Sequence, residues 1–135
     1  MTVEHKFLES NIYFPYWEVN TLFIGTFNPN DGDDLDYYYM RPKNGFWKIL
    51  QQYTNIDTTE IFDLLYFMKE KKFGCVDVIK SVTFPDEYES EVKGAGYADD
   101  VIFRVKDFQR QYNFEQIKNF IKINKVTNVF STWGK

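Results

Sequence analysis

The chain holds one cysteine, Cys75, and one histidine, His5, and this scarcity removes whole classes of chemistry. Structural zinc and iron–sulfur sites need about four Cys or His ligands. No such site can be assembled, and neither a metal nor a cofactor is expected. A Ser-His-Asp or Cys-His arrangement would have to recruit His5, whose place in a charged N-terminal stretch, ahead of the first apolar run, argues against it. Long apolar runs are also missing: none approaches the roughly 20 residues of a membrane span. The N-terminus has neither the basic start nor the apolar core of a signal peptide. With a lone thiol, these absences point to a cytoplasmic domain with no membrane partner. Excess positive charge is lacking too. Sixteen basic against twenty acidic side chains leave a net charge of −4, which excludes a histone-like or polybasic binder. A Gly-rich phosphate loop of the Walker or dinucleotide kind is absent as well.

What is present is aromatic. Phe, Tyr and Trp make up 20% of the 135 residues, enough buried area to offset chain entropy, so the chain reads as one folded domain over residues 1–135. Thr21-Leu22-Phe23-Ile24-Gly25 is a short apolar run of the kind that forms a strand buried on both faces, and Asn28-Pro29-Asn30-Asp31-Gly32 after it is turn chemistry. Over about Gly45 to Tyr53, the spacing of Phe46, Ile49, Leu50 and Tyr53 predicts a helix with those residues inward. Asp57-Thr58-Thr59-Glu60 has the form of a capping box, continued by Ile61, Leu64, Leu65 and Met68 on one helical face. Lys69 to Lys72 would complement the end of that helix, and Gly74 would stop it. Cys75 to Ile79 reads as a second strand, and the polar stretch from Pro85 to Gly96 as a surface loop. Asn113, with Gln116 three residues on, caps a helix from Phe114 to about Asn124 with Ile117, Phe120 and Ile121 inward. Val126 to Ser131 reads as another strand. Strands separated by helices imply an α/β domain, three-layered around a central, mainly parallel sheet, with ligands bound where strands end in loops.

The turn Gly25-Thr26-Phe27-Asn28-Pro29, followed by Tyr37-Tyr38-Tyr39-Met40-Arg41-Pro42-Lys43-Asn44-Gly45-Phe46-Trp47-Lys48-Ile49-Leu50, resembles the uracil-DNA glycosylase superfamily, in its mismatch-specific and hypoxanthine-type branches. Three more segments keep the family's order: Gly74 to Ser81 as the second-strand segment, Gly96-Tyr97-Ala98-Asp99, and Asn128 to Lys135 as the strand entering a Gly-Lys turn. The family continues past that turn into one more strand and a second active-site loop. The chain stops at Lys135 and is therefore expected to be truncated at its C-terminus, with an open sheet edge beside Val126 to Ser131 through which it would form a homodimer.

The resemblance implies excision of a deaminated base, uracil or hypoxanthine, from DNA containing it. The nucleotide is flipped out of the stack and an oriented water attacks the N-glycosidic bond. An Asn amide does not titrate, so it would orient that water through its carbonyl rather than deprotonate it. Counting from Gly25 to the Arg-Pro pair gives sixteen positions, the family spacing without gaps. On that register Phe27 takes the catalytic Asn place, and the Asn after the Pro, here Asn44, is favoured over Asn28. Asn28 reads otherwise as a turn former and Asn44 as a helix cap. Tyr39 lies where relatives place the aromatic that stacks on the extruded base. Arg41 stands in place of the family's usual histidine and is a candidate for phosphate contact. Backbone N–H groups of Thr26 and Phe27, beside Gly25, could bind the base carbonyl or the departing anion. Asp77 and Asp99 fall on family positions but read equally as surface or capping carboxylates. The rival interpretation is a non-catalytic nucleobase- or nucleotide-binding or protein-interaction domain on the same scaffold.

Overall fold

Two small sheets of three strands each divide the chain. In the computed structural model the described residues are 1–31, 35–40, 45–57, 59–93, 97 and 99–132. Strands β1 (Thr2–Glu4), β4 (Ile79–Thr83) and β5 (Gln109–Tyr112) form an antiparallel sheet in the order β1-β4-β5. Strands β2 (Thr21–Gly25), β3 (Phe73–Asp77) and β6 (Asn128–Ser131) form a parallel sheet in the order β3-β2-β6. Helices α1 (Phe46–Thr54) and α2 (Ile61–Lys71) lie in sequence between β2 and β3. Helices α3 (Glu89–Val92) and α4 (Asp99–Arg104) separate β4 from β5, and α5 (Phe114–Asn124) leads to β6. The chain is thus mixed α/β, with two three-stranded sheets rather than the single, mainly parallel one expected. No described helix is long and apolar enough to cross a membrane.

The apolar run 21–25 becomes β2 as expected. Alternation along the parallel strands splits their side chains between two cores. Leu22 and Val76 join Val82, Ile102, Phe108 and Ile117, while Phe23 and Cys75 turn toward Trp47, Leu64, Phe67 and Met68. The strand expected at Cys75–Ile79 is in fact two. Val78 donates from its N–H to the Gly25 carbonyl (3.0 Å), and its own carbonyl accepts from Asn113 (2.9 Å), so the chain changes sheets at that residue.

Several local expectations shift. In α1 the inward face is turned: Trp47 is buried, whereas Ile49 and Tyr53 are 60% and 83% exposed. Packing of Phe46 and Trp47 on the tyrosines before the helix sets its rotation, which periodicity alone does not reveal. Helix α2 begins three residues later than the capping box implied. Glu60 accepts from the Phe62 N–H (3.1 Å), while Asp57 closes a local turn with the Thr59 N–H (2.9 Å) and hydroxyl. Its stop is Lys72 in the left-handed conformation, φ 56°, and not Gly74. Gly74 sits in β3, where a Cβ would lie 2.6 Å from Pro15 and 3.0 Å from Val19, so close approach is what requires glycine there. Asn113 occupies the N-cap position of α5 without capping it, because its side chain donates to the Tyr13 hydroxyl instead (2.7 Å). The supposed loop after Pro85 carries a 3₁₀ turn (Asp86–Tyr88) and α3, whose Val92 is fully buried. Strand β6 is a terminal strand of its sheet, paired with β2 among the described strands, and Val129 and Phe130 are about half exposed.

Candidate functional site at the carboxyl ends of the parallel strands

Because β2 lies between β3 and β6, the carboxyl ends of three parallel strands meet at one place, where open α/β sheets bind ligands. Gly25 ends β2, Asp77 ends β3 in register with it, and Thr132 follows β6. A Cβ on Gly25 would collide with Asp77 Oδ1 and lie 2.9 Å from the Tyr39 hydroxyl. The carboxylate and the phenol therefore converge over the same Cα. Thr132 Oγ1 donates to the Ile24 carbonyl (3.2 Å) and lies 3.3 Å from the Tyr39 hydroxyl, closing the third side. Since neither neighbour is backbone, Gly25→Ala is expected to fold with both Asp77 and Tyr39 displaced, at the ordinary overpacking cost of about 1–3 kcal/mol. Urea midpoints and the NMR shifts of the Tyr39 ring check both parts.

The turn after β2 is pinned through its carbonyls. Gly25 O accepts from Val78 (3.0 Å), Thr26 O from Ile79 (3.1 Å), Phe27 O from the Tyr97 hydroxyl (3.0 Å) and Asn28 O from Lys6 (2.7 Å). None of these four bonds uses the N–H groups of Thr26 and Phe27. Asn28 is buried and its backbone is tied to the segment after β1, which fits a turn-forming role. Phe27 is buried edge-on against His5 (5.9 Å between centroids) and Tyr97 (6.4 Å). Tyr97 also bonds to Asp99, which links that second carboxylate to the turn through a phenol.

Tyr39 has φ 63°, a left-handed conformation that bulky residues rarely adopt and that persists only when neighbours over-determine it. The neighbours here are specific. The Trp47 indole N–H donates to the Tyr38 carbonyl (2.6 Å), the Tyr38 hydroxyl donates to the Tyr13 carbonyl (2.7 Å), and the Tyr39 ring packs on Phe46 at 4.5 Å. Burial, reinforced by the nearby Cys75 and Asp77, pushes the Tyr39 phenol well above its ordinary value, against the smaller opposing effect of Thr132. Its hydroxyl stays protonated at neutral pH and remains a donor.

Asp77 is held from behind by His5. Nε2 of His5 lies 2.7 Å from Asp77 Oδ2, with both side chains buried. Phe7, Tyr13, Phe27 and Tyr38 surround the imidazole at 5.0–5.9 Å. The structure thus brings together Gly25, Tyr39 and Asp77 from the sequence reading and adds two residues it did not choose, His5 and Thr132. Nothing local to His5 signals its role, since its partner is 72 positions away. Thr132 falls within the segment matched to the strand entering the Gly-Lys turn. Asn44 and Arg41 lie outside the described residues. Among the described residues no group of three or more His, Cys, Asp or Glu could hold a metal ion. No family model, curated protein or solved structure matches the chain.

Proposed function

We propose that the chain is a monofunctional DNA glycosylase of the uracil-DNA glycosylase type, on a three-layer scaffold of that kind, which hydrolyses the N-glycosidic bond of a flipped, deaminated base. The observation that carries this reading is the convergence of the Tyr39 ring and the Asp77 carboxylate over Gly25, at the carboxyl ends of three parallel strands. An aromatic face and a polar acceptor beside a glycine turn are what a pocket for a planar, hydrogen-bonding base requires. Tyr39 stacks on the base. Asn44 orients the attacking water through its amide carbonyl, and Asn28 shapes the turn. The N–H groups of Thr26 and Phe27 face the leaving base, and Arg41 contacts a phosphate. Water replaces the base at the sugar carbon, and the base leaves as its anion and takes up a proton. No cofactor enters this scheme.

The test is incubation of enzyme in excess with oligonucleotides containing uracil, hypoxanthine, xanthine or a thymine mismatch, followed by alkaline cleavage of abasic sites. Cleavage of at least one substrate is expected. Asn44→Ala should abolish it and Asn28→Ala should slow it. Tyr39→Ala should weaken substrate binding by about 1–3 kcal/mol, the worth of one base–aromatic stack. Full activity in Asn44→Ala with none in Asn28→Ala would move the catalytic role to Asn28. Binding without cleavage of any substrate would leave the scaffold as a non-catalytic nucleobase-binding domain.

A further inference from the structure

The His5 ring is fixed at both nitrogens. The Phe7 backbone N–H donates to Nδ1 (3.1 Å), and a ring nitrogen that accepts carries no proton. The ring proton therefore sits on Nε2 and points at Asp77 Oδ2, 2.7 Å away. That bond takes one carboxylate oxygen and sets the plane of the group. The other oxygen, Oδ1, is left over the Cα of Gly25, on the side where the Tyr39 hydroxyl also stands. A carboxylate has only acceptor lone pairs, so an ionised Asp77 can serve a ligand only by accepting from it. A buried acceptor left without a donor costs enough to reject a ligand that lacks one.

We infer that His5 is a positioning residue: it orients Asp77 so that Oδ1 stands as a preset acceptor, and the site thereby selects bases whose ring edge offers an N–H donor. This rests on the glycosylase reading and narrows its substrate class. Hypoxanthine and uracil carry a ring N–H beside a carbonyl. Unsubstituted purine and 2-pyrimidinone present a bare ring nitrogen in the same place. His5 touches no substrate; it acts through Asp77.

The experiment measures binding of oligonucleotides carrying hypoxanthine or unsubstituted purine at one position, by fluorescence anisotropy, with urea midpoints taken for every variant. Wild-type protein is expected to favour hypoxanthine at least tenfold. His5→Phe keeps an aromatic ring but loses the donor, so the ratio should collapse toward one. His5→Gln can restore an N–H near the Nε2 position and should recover most of the preference, an outcome that loss of packing alone would not produce. Asp77→Asn is the second arm, and it does not depend on His5→Phe folding. With Nε2–H of His5 holding the amide oxygen, the amide NH₂ is turned into the site, and preference should invert toward purine. A hypoxanthine preference that persists unchanged in either His5→Phe or Asp77→Asn overturns the positioning role while leaving the glycosylase reading standing. Failure of wild-type protein to bind either oligonucleotide overturns that reading and this inference with it.

Discussion

Above about pH 10 the folded chain should lose stability steeply, more than its net charge of −4 would suggest. Burial pushes the Tyr13 phenol up to about 12, with the Asn113 hydrogen bond lowering it and the Asp77 charge raising it to smaller extents. Burial likewise holds the phenols of Tyr37, Tyr38 and Tyr39 and the Cys75 thiol well above their ordinary values. All five are acids whose folded values exceed their unfolded ones, so the native state keeps protons that the unfolded chain gives up. Their contribution is complete below the unfolded values, about 8.5 for Cys and 10 for Tyr, and falls as pH rises through the folded ones. For Tyr13 that window runs from about 10 to about 12. Each group titrating only in the unfolded state removes about 1.4 kcal/mol per pH unit. A few together exhaust a typical stability of roughly 5–15 kcal/mol within a few pH units. Urea midpoints from pH 7 to 11, read beside tyrosinate absorbance, should show the phenols of Tyr13, Tyr37, Tyr38 and Tyr39 ionising only as the chain unfolds. Ionisation of all ten tyrosines in a still-folded chain would show that these four rings reach solvent.

Trp47→Ala should cost about 3–5 kcal/mol, the range for truncating a buried Trp, and should disorder the site at the same time. Trp47 is 5% exposed, packs against Tyr37 and Phe46, and donates its indole N–H to the Tyr38 carbonyl at 2.6 Å. That bond is one of the restraints that keep the next residue, Tyr39, at positive φ. Without it Tyr39 can relax into an ordinary conformation and leave Gly25. Trp47→Phe separates the two effects. It retains most of the packing but leaves the carbonyl unpaired, at about 1–3 kcal/mol. The measurements are urea midpoints and the line widths of the Tyr39 ring signals. A Trp47→Ala protein with native stability and an unmoved Tyr39 would mean that the segment is held from elsewhere.

Much of the fold is local and was therefore legible. The apolar run 21–25 is β2 because five consecutive residues with buried neighbours on both faces need no distant information. Helix α5 begins at Phe114 and buries Ile117 as its spacing predicts. The end of β2 at Gly25 was legible too, because turn residues follow the apolar run directly. Periodicity succeeded only in part in α1, where the expected Phe46 and Leu50 do pack on the core but Ile49 and Tyr53 face out and Trp47 is buried in their stead. Only contact with the tyrosines before the helix decided that rotation.

The sequence by itself determined which kinds of chemistry the chain has too few Cys and His to perform, where β2 and α5 run, and that strands alternate with helices. Those properties depend on composition and on residues a few positions apart. Tertiary structure alone decided that the strands divide into two sheets, that Asn113 binds Tyr13 instead of capping its helix, and that His5 backs Asp77. The Asn113 and His5 pairs join residues 100 and 72 positions apart, and no spacing rule links residues so distant. They meet because each strand buries its own alternate side chains, and the sheets those strands build carry distant side chains to one place.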